Sequence, residues 1–238
     1  MKFGGVMAIN DFSFEAKRGD ITALIGPNGA GKTTVFNCEE VPAADGGYHH
    51  ADGHRYHLHA APIRWRAWGL VRSFQISAVF PHLSVLDNVR VALQRPNNLS
   101  TQFWRPLSAL DRLNERAEQL LASVGLSKER DHIAADLSYG RKRVLEIATT
   151  LALDPKVLLL DEPMAGMGLE DVGVVSAIIR EVARDRAVLM VEHNLSVVAN
   201  ICQHVTVLQR GEILAEGDYA TVSQDERVRV AYMGTEEH

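Results

Sequence analysis

The sequence predicts an α/β protein with a mostly parallel sheet, a flanking antiparallel β region and a helical subdomain. Three observations predict it. Short continuous apolar runs, "ITALIG" at 21–26, "KVLLLD" at 156–161 and "AVLMVE" at 187–192, read as strands buried on both faces. In the second half these runs alternate with stretches whose apolar residues recur at steps of three and four, the pattern of strands joined by covering helices. From about Ser84 to Gly125 the pattern is helical alone, with Leu107, Leu110, Leu113, Ala117, Leu120, Leu121 and Val124 at those steps.

Each element follows from local chemistry. Phe12, Phe14 and Ala16 alternate with polar neighbours, so the opening reads as β structure that turns at "RGD" into the strand from Ile21. A Gly-rich loop comes next, and a helix is expected from Lys32. Ser138 is the expected N-cap for a helix burying Val144, Leu145, Ala148 and Leu151 and stopping before Pro155. "VGVVSAIIREVA" and "LSVVANIC" are expected helices, and "HVTVLQRGEILAEG" two strands around "QRGE". Composition narrows the function. In 238 residues, 25 basic against 30 acidic side chains give a net charge of -5, so no global footprint for nucleic acid exists and no nucleic-acid partner is expected. Cys38 and Cys202 stand far apart without the C-x-x-C spacing of a zinc site, and a reducing compartment fits them. No apolar run approaches the roughly 18 residues of a membrane span, so work at a membrane would be peripheral.

"GPNGAGKT", Gly26 to Thr33, satisfies G-x-x-x-x-G-K-[ST] between a strand and a helix. Glycines at 26, 29 and 31 let backbone N–H groups turn toward phosphate oxygens. Gly26, Pro27, Asn28, Gly29, Ala30, Gly31, Lys32, Thr33 and Thr34 are therefore the expected nucleotide-binding residues, with Lys32 on the β and γ phosphates and Thr33 on Mg²⁺. The strand "VLLLD" delivers Asp161 and Glu162 to the carboxyl edge of the sheet, where ligands of open α/β sheets bind. Asp161 would reach Mg²⁺ through water, and Glu162 would act as general base toward an attacking water.

These motifs define a P-loop NTPase, and the remaining ones narrow the class. "LSYGRKR" at 137–143 resembles the signature loop of ABC ATPases and lies 23 residues before Asp161 as that family places it. Gln75 in "VRSFQ" resembles the family's Q-loop glutamine, and His193, 31 residues after Glu162, its switch histidine. The resemblance spans almost the whole chain. Within the family, "FGG", "LVRSFQ", "VLLLDEPMAGMG", "VEHNLSVV" and "VAYMG" look most like ATP-binding subunits of branched-chain amino acid, amide or urea importers.

The resemblance implies a catalytic set of Glu162, His193 and Gln75, and Mg²⁺ held by Thr33, Gln75 and Asp161. It implies adenine stacking by Phe3. Leu137, Ser138, Tyr139, Gly140 and Arg141 would form a loop addressing the ATP of a second ATPase subunit, identical or different. It further implies two integral-membrane permease subunits, a periplasmic solute-binding protein acting indirectly, and a peripheral place on the cytoplasmic face of the inner membrane. The whole chain, 1–238, would be one ATP-binding domain, with a core of about 1–75 and 151–238 and a helical signature subdomain of about 76–150. A soluble non-transport ABC ATPase is the weaker reading: 62 residues separate Gln75 from Ser138, too few for a coiled coil, and one cassette is present. A degenerate or regulatory subunit with little turnover is the other.

Five departures stand out. Tyr139 and Arg141 replace the commoner Gly and Gln of the signature, and Gly168 stands where a coupling Asp is usual. The chain starts almost at "FGG", where relatives usually have another strand upstream. Residues 38–68 hold five of the ten histidines (His49, His50, His54, His57, His59) and two of the three tryptophans, with Glu39 and Glu40 where a buried helix needs apolar residues. That segment reads as translated out of frame between two compensating shifts. The competing reading is a metal-binding insert, which lacks a supporting carboxylate or cysteine pattern.

Overall fold

Strand periodicity of two sends successive residues of each apolar run to opposite sides of a sheet, and here both sides are covered. The computed structural model describes residues 17–37, 70–73, 79–97 and 111–233, together with strand pieces at 2–3, 6–7, 48–51 and 54–57. Strand β1 (Lys2–Phe3) pairs antiparallel with β2 (Val6–Met7) as a separate hairpin. The main sheet has six strands in the order β10-β9-β3-β8-β7-β6. Its members are β3 (Ile21–Ile25), β6 (Leu70–Ser73), β7 (Val157–Asp161), β8 (Ala187–Val191), β9 (His204–Gln209) and β10 (Glu212–Gly217). Every pairing is parallel except β9–β10.

The β9–β10 hairpin turns on Arg210 and Gly211, both in the left-handed region at φ 52° and 81°. Two consecutive positive φ values make the tight turn whose twist matches the flanking strands. On one sheet face Ile21, Ala23, Ile25, Leu158, Leu160, Val188, Met190, Val205 and Val207 join a cluster that continues into the helices. On the other, Leu24, Leu159, Leu189, Val191 and Leu208 pack with Ala30 of the Gly-rich loop.

Helix α1 (Lys32–Asn37) follows that loop as expected. The helical stretch resolves into α2 (Val85–Gln94) and α3 (Asn114–Ser123), while the expected positions Leu107 and Leu110 lie outside the described residues. Ser84 caps α2 by accepting from the Asp87 N–H at 3.0 Å. Gly125, at φ 75°, ends the run after α3 in the left-handed conformation that glycine adopts at no steric cost. Helix α4 (Tyr139–Leu151) starts at Ser138 as the sequence predicts, and Val144, Leu145, Ala148 and Leu151 are all buried.

Helices α5 (Leu169–Ala183) and α6 (Leu195–Ile201) fill the crossovers, and α7 (Tyr219–Gln224) and α8 (Glu226–Met233) close the described chain. No helix among the described residues is long and apolar enough to cross a membrane. Of the unusual segment 38–68, only β4 (Tyr48–Ala51) and β5 (His54–His57) are described, as an antiparallel pair. Its register sets His49 opposite Tyr56, His50 opposite Arg55 and Ala51 opposite His54, so no two histidines stand directly across from each other. The expected strand around Phe12–Ala16 lies outside the described residues.

Candidate active site

The Gly-rich loop is shaped by what stands behind it. Gly26 leaves β3 at φ 150°, and a Cβ built there would lie 2.1 Å from the Leu208 carbonyl oxygen of β9. No side chain fits that gap. At Gly29, φ 77°, a Cβ would meet nothing within 4 Å, so the loop crest is open on its outer side. Ala30 is buried, and its carbonyl accepts from the Gly211 N–H of the β9–β10 turn at 2.8 Å. Thus the C-terminal hairpin braces the loop from behind.

Lys32 is 7% exposed, and its Nζ donates to the Gly26 and Pro27 carbonyls at 2.6 and 2.9 Å. Burial pushes the ammonium below the usual lysine range, and the negative charge of Glu162 pulls it partly back. Thr33 is exposed at the start of α1 and Thr34 half-buried.

Parallel register lines up three chain exits. Leu24 pairs with Val191, and Val191 pairs with Asp161, so β3, β8 and β7 end at one level with β8 in the middle. Asp161 is buried there. Glu162 then turns through φ 47°, a conformation that costs a non-glycine residue roughly 1–3 kcal/mol and that clusters at functional sites. The turn is fixed by its own N–H, which donates to the Val191 carbonyl at 2.9 Å. The strain aims its carboxylate at the neighbouring exit, where Glu162 Oε1 lies 2.9 Å from His193 Nε2. Both side chains keep access to solvent, at 26% and 46% exposure.

A crowded Gly26, an open crest at Gly29 and a desolvated lysine make a cradle that suits phosphate oxygens. Thr33 and Asp161 supply hard oxygen donors of the kind a magnesium ion takes.

Comparison with known proteins agrees with this geometry. A model described as ABC transporter matches residues 9–165, and one described as branched-chain amino acid ATP-binding cassette transporter matches 212–238. The chain belongs to the ABC transporter family. It is an ABC ATPase, a nucleotide-binding subunit that hydrolyses ATP.

The ABC ATPases to which it is similar include the high-affinity branched-chain amino acid transport ATP-binding protein LivG of Salmonella typhimurium. That protein is 34% identical, with 98% of this chain and 94% of the relative covered. The corresponding protein BraF of Pseudomonas aeruginosa is also 34% identical, with the same coverage. The lipopolysaccharide export system ATP-binding protein LptB of Acidithiobacillus ferridurans is 35% identical, covering 96% and 91%. Among solved structures, the ADP conformation of an ATP-binding cassette of an ABC transporter superposes with a TM-score of 0.85 at 28% identity, covering 98% and 95%.

In the segment that the sequence likens to the signature of the ABC ATPases, Ser138 Oγ accepts from the Arg141 N–H at 3.4 Å as a helix cap, and Leu137 is buried. Gly140 has a local steric reason: a Cβ there would lie 2.3 Å from Asp171 Cγ on α5. The two departures also acquire partners. Arg141 Nε donates to Glu129 Oε1 at 3.1 Å, and a second guanidinium nitrogen bonds the same oxygen. Burial opposes ionisation of Glu129, but the Arg141 hydrogen bond and charge hold its carboxyl below the usual range. Tyr139, half-exposed, leans over Gly166, where a Cβ would lie 3.7 Å from its ring. Gly168 is the N-cap of α5 and gives no side-chain cap, the direct consequence of glycine at that position. Gln75 and the side chain of Phe3 lie outside the described residues.

Sequence reasoning missed Glu192. It is 3% exposed at the exit of β8, and its Oε1 accepts from the Met164 N–H at 3.1 Å. Its Oε2 accepts from the N–H groups of His193 and Asn194 at 3.1 and 3.3 Å. Burial pushes its carboxyl up, the three N–H groups oppose that, and the Glu162 charge adds to it. The only sequence signal is a carboxylate ending an apolar run.

Proposed function

We propose that this ATPase powers an importer for branched-chain amino acids or related small solutes from the cytoplasmic face of the inner membrane. On this reading it works with a second ATPase subunit, identical or different, two integral-membrane permease subunits and, indirectly, a periplasmic solute-binding protein. The observation that carries the hydrolytic part is the 2.9 Å contact between Glu162 and His193 at the strand exits beside the lysine-bearing loop. The C-terminal match at 212–238 and the relatives named for branched-chain amino acid transport support the solute class.

In the proposed mechanism Lys32 and the backbone N–H groups of Gly29, Gly31 and Lys32 bind phosphate oxygens, while Thr33, Asp161 and Gln75 would hold Mg²⁺. Bound there, Mg²⁺ neutralises charge that develops on the phosphate oxygens. Glu162 Oε1 takes the proton of the attacking water, and His193 Nε2 fixes the direction of that carboxylate. Residues 76–150 act as the subdomain that presents Ser138 and Gly140 to the second subunit, and Phe3 stacks on adenine.

Size-exclusion chromatography of Glu162→Gln with and without MgATP tests this, with Lys32→Ala as control. A monomer-to-dimer shift that requires both ATP and Lys32 is expected. Wild-type phosphate release by Glu162→Gln would overturn the hydrolytic reading. Uptake of leucine against urea by the reconstituted transporter decides the solute.

A further inference from the structure

Glu192 directly follows the middle strand of the three whose ends form the site. Val191, just before it, pairs with Leu24 of the phosphate-loop strand on one side and with Asp161 on the other. Its two carboxylate oxygens face different ways. Oε1 takes the Met164 N–H, 28 residues away, from the turn that begins at Glu162 and closes through the Ala165 N–H to the Glu162 carbonyl at 3.1 Å. Oε2 takes the N–H groups of His193 and Asn194. Asn194 in turn caps α6, accepting from the Ser196 and Val197 N–H groups at 3.0 and 3.3 Å.

We propose that Glu192 is a positioning residue for hydrolysis: its buried carboxylate clamps the turn carrying Glu162 to the turn carrying His193 and so maintains their 2.9 Å contact. The inference rests on the roles proposed above for Glu162 and His193. Three N–H donors converge on two acceptor oxygens, a set that only a carboxylate completes. A glutamine of the same shape keeps one acceptor oxygen and turns an NH₂ group toward N–H donors at the other end. Either the Met164 side or the His193–Asn194 side then opens, and the pair loses its fixed separation.

Two measurements test this. In the wild-type protein without nucleotide, hydrogen–deuterium exchange at the Met164, His193 and Asn194 amides is expected to be slow. In Glu192→Gln it accelerates there, while the Ala187 amide, bonded to the Lys156 carbonyl at the far end of β8, stays protected. Fast exchange at the three amides in the wild type overturns the clamp without any variant. In steady-state ATP hydrolysis, Glu192→Gln is expected to lower kcat about tenfold, the lower end of losses when an orienting partner is removed, with KM for ATP within twofold. An unchanged kcat, or a KM that rises in step with lost thermal stability, overturns the positioning role. Glu162→Gln in parallel separates the failures. If it turns over ATP like the wild type, the hydrolytic reading falls and takes the proposal with it. If it is inactive while Glu192→Gln is fully active, only the proposal falls.

Discussion

Gly26→Ala puts the brace behind the phosphate loop to the test. The added Cβ would stand 2.1 Å from the Leu208 carbonyl oxygen, about 1 Å inside van der Waals contact, and the obstacle is backbone held in the β9–β3 pairing. Relief therefore requires β3 and β9 to part at their ends or the loop to lift. Overpacking of this kind costs about 1–3 kcal/mol, and alanine at φ 150° adds roughly 1–3 kcal/mol of backbone strain. A loss near 4 kcal/mol lowers the melting temperature by roughly 8–16 °C in a domain of this size. Gly29→Ala is the matched control. It shares the left-handed conformation, φ 77°, but its Cβ enters open space, so only about 1–2 kcal/mol is expected, a drop of roughly 2–8 °C. Thermal unfolding by circular dichroism gives the stability difference, and titration with a fluorescent ATP analogue should show the larger affinity loss at position 26. Equal effects of the two substitutions would refute the argument that the Leu208 carbonyl sets the loop.

Three other features yield four further predictions. Arg143 and Glu146 form a buried pair at 2.5 Å, so Arg143→Met alone should cost about 3–5 kcal/mol in urea unfolding, while Arg143→Met with Glu146→Leu should recover most of it; a double variant as unstable as the single one would refute this. Burial, with the nearby Glu192 charge, pushes the Cys202 thiol up to about 12, so at pH 8 its thiolate fraction is on the order of 10⁻⁴ and iodoacetamide should label it only after unfolding. Because that value is raised above the unfolded 9.0, the stability it contributes is complete below pH 9 and is lost as pH rises toward 12, and alkaline unfolding of Cys202→Ser should be correspondingly flatter. Protein made from the native gene should yield a Leu-rich peptide without the five histidines across residues 38–68, and mass-spectrometric recovery of "HRYHLH" would refute the out-of-frame reading.

What the sequence made legible was whatever depends on neighbours along the chain. The apolar runs became β3, β7 and β8 because a strand buried on both faces needs no alternation, and Ser138 caps α4 through a contact three residues away. What it hid depends on partners brought from afar. Glu192 has no periodic signal, since its Met164 partner arrives through the parallel pairing of β7 and β8. Gly140 reads as a family preference until Asp171 of the next helix is found against it, and Arg141 as a departure until Glu129 is found bonded to it. The placement of β3 between β8 and β9 is likewise invisible in the sequence, because both partners lie more than 160 residues downstream. Among the described residues, Val85, Val89, Leu120 and Val144 of the helices belong to the same apolar cluster as Ile21 and Met190 of the sheet.

That placement of β3 sets a timetable for synthesis. The strand bearing the phosphate loop finds its partners only when residues 187–191 and 204–209 have left the ribosome, and the loop's rear support at Gly211 comes later still. At about 5–20 residues per second the apolar stretch 21–25 stays unpaired for roughly 10–40 seconds, with both of its future edges open. The Gly-rich loop therefore lacks its strand partners and its rear support until residues 187–211 have emerged, and a chain stalled before residue 187 carries the 21–25 strand with neither sheet neighbour.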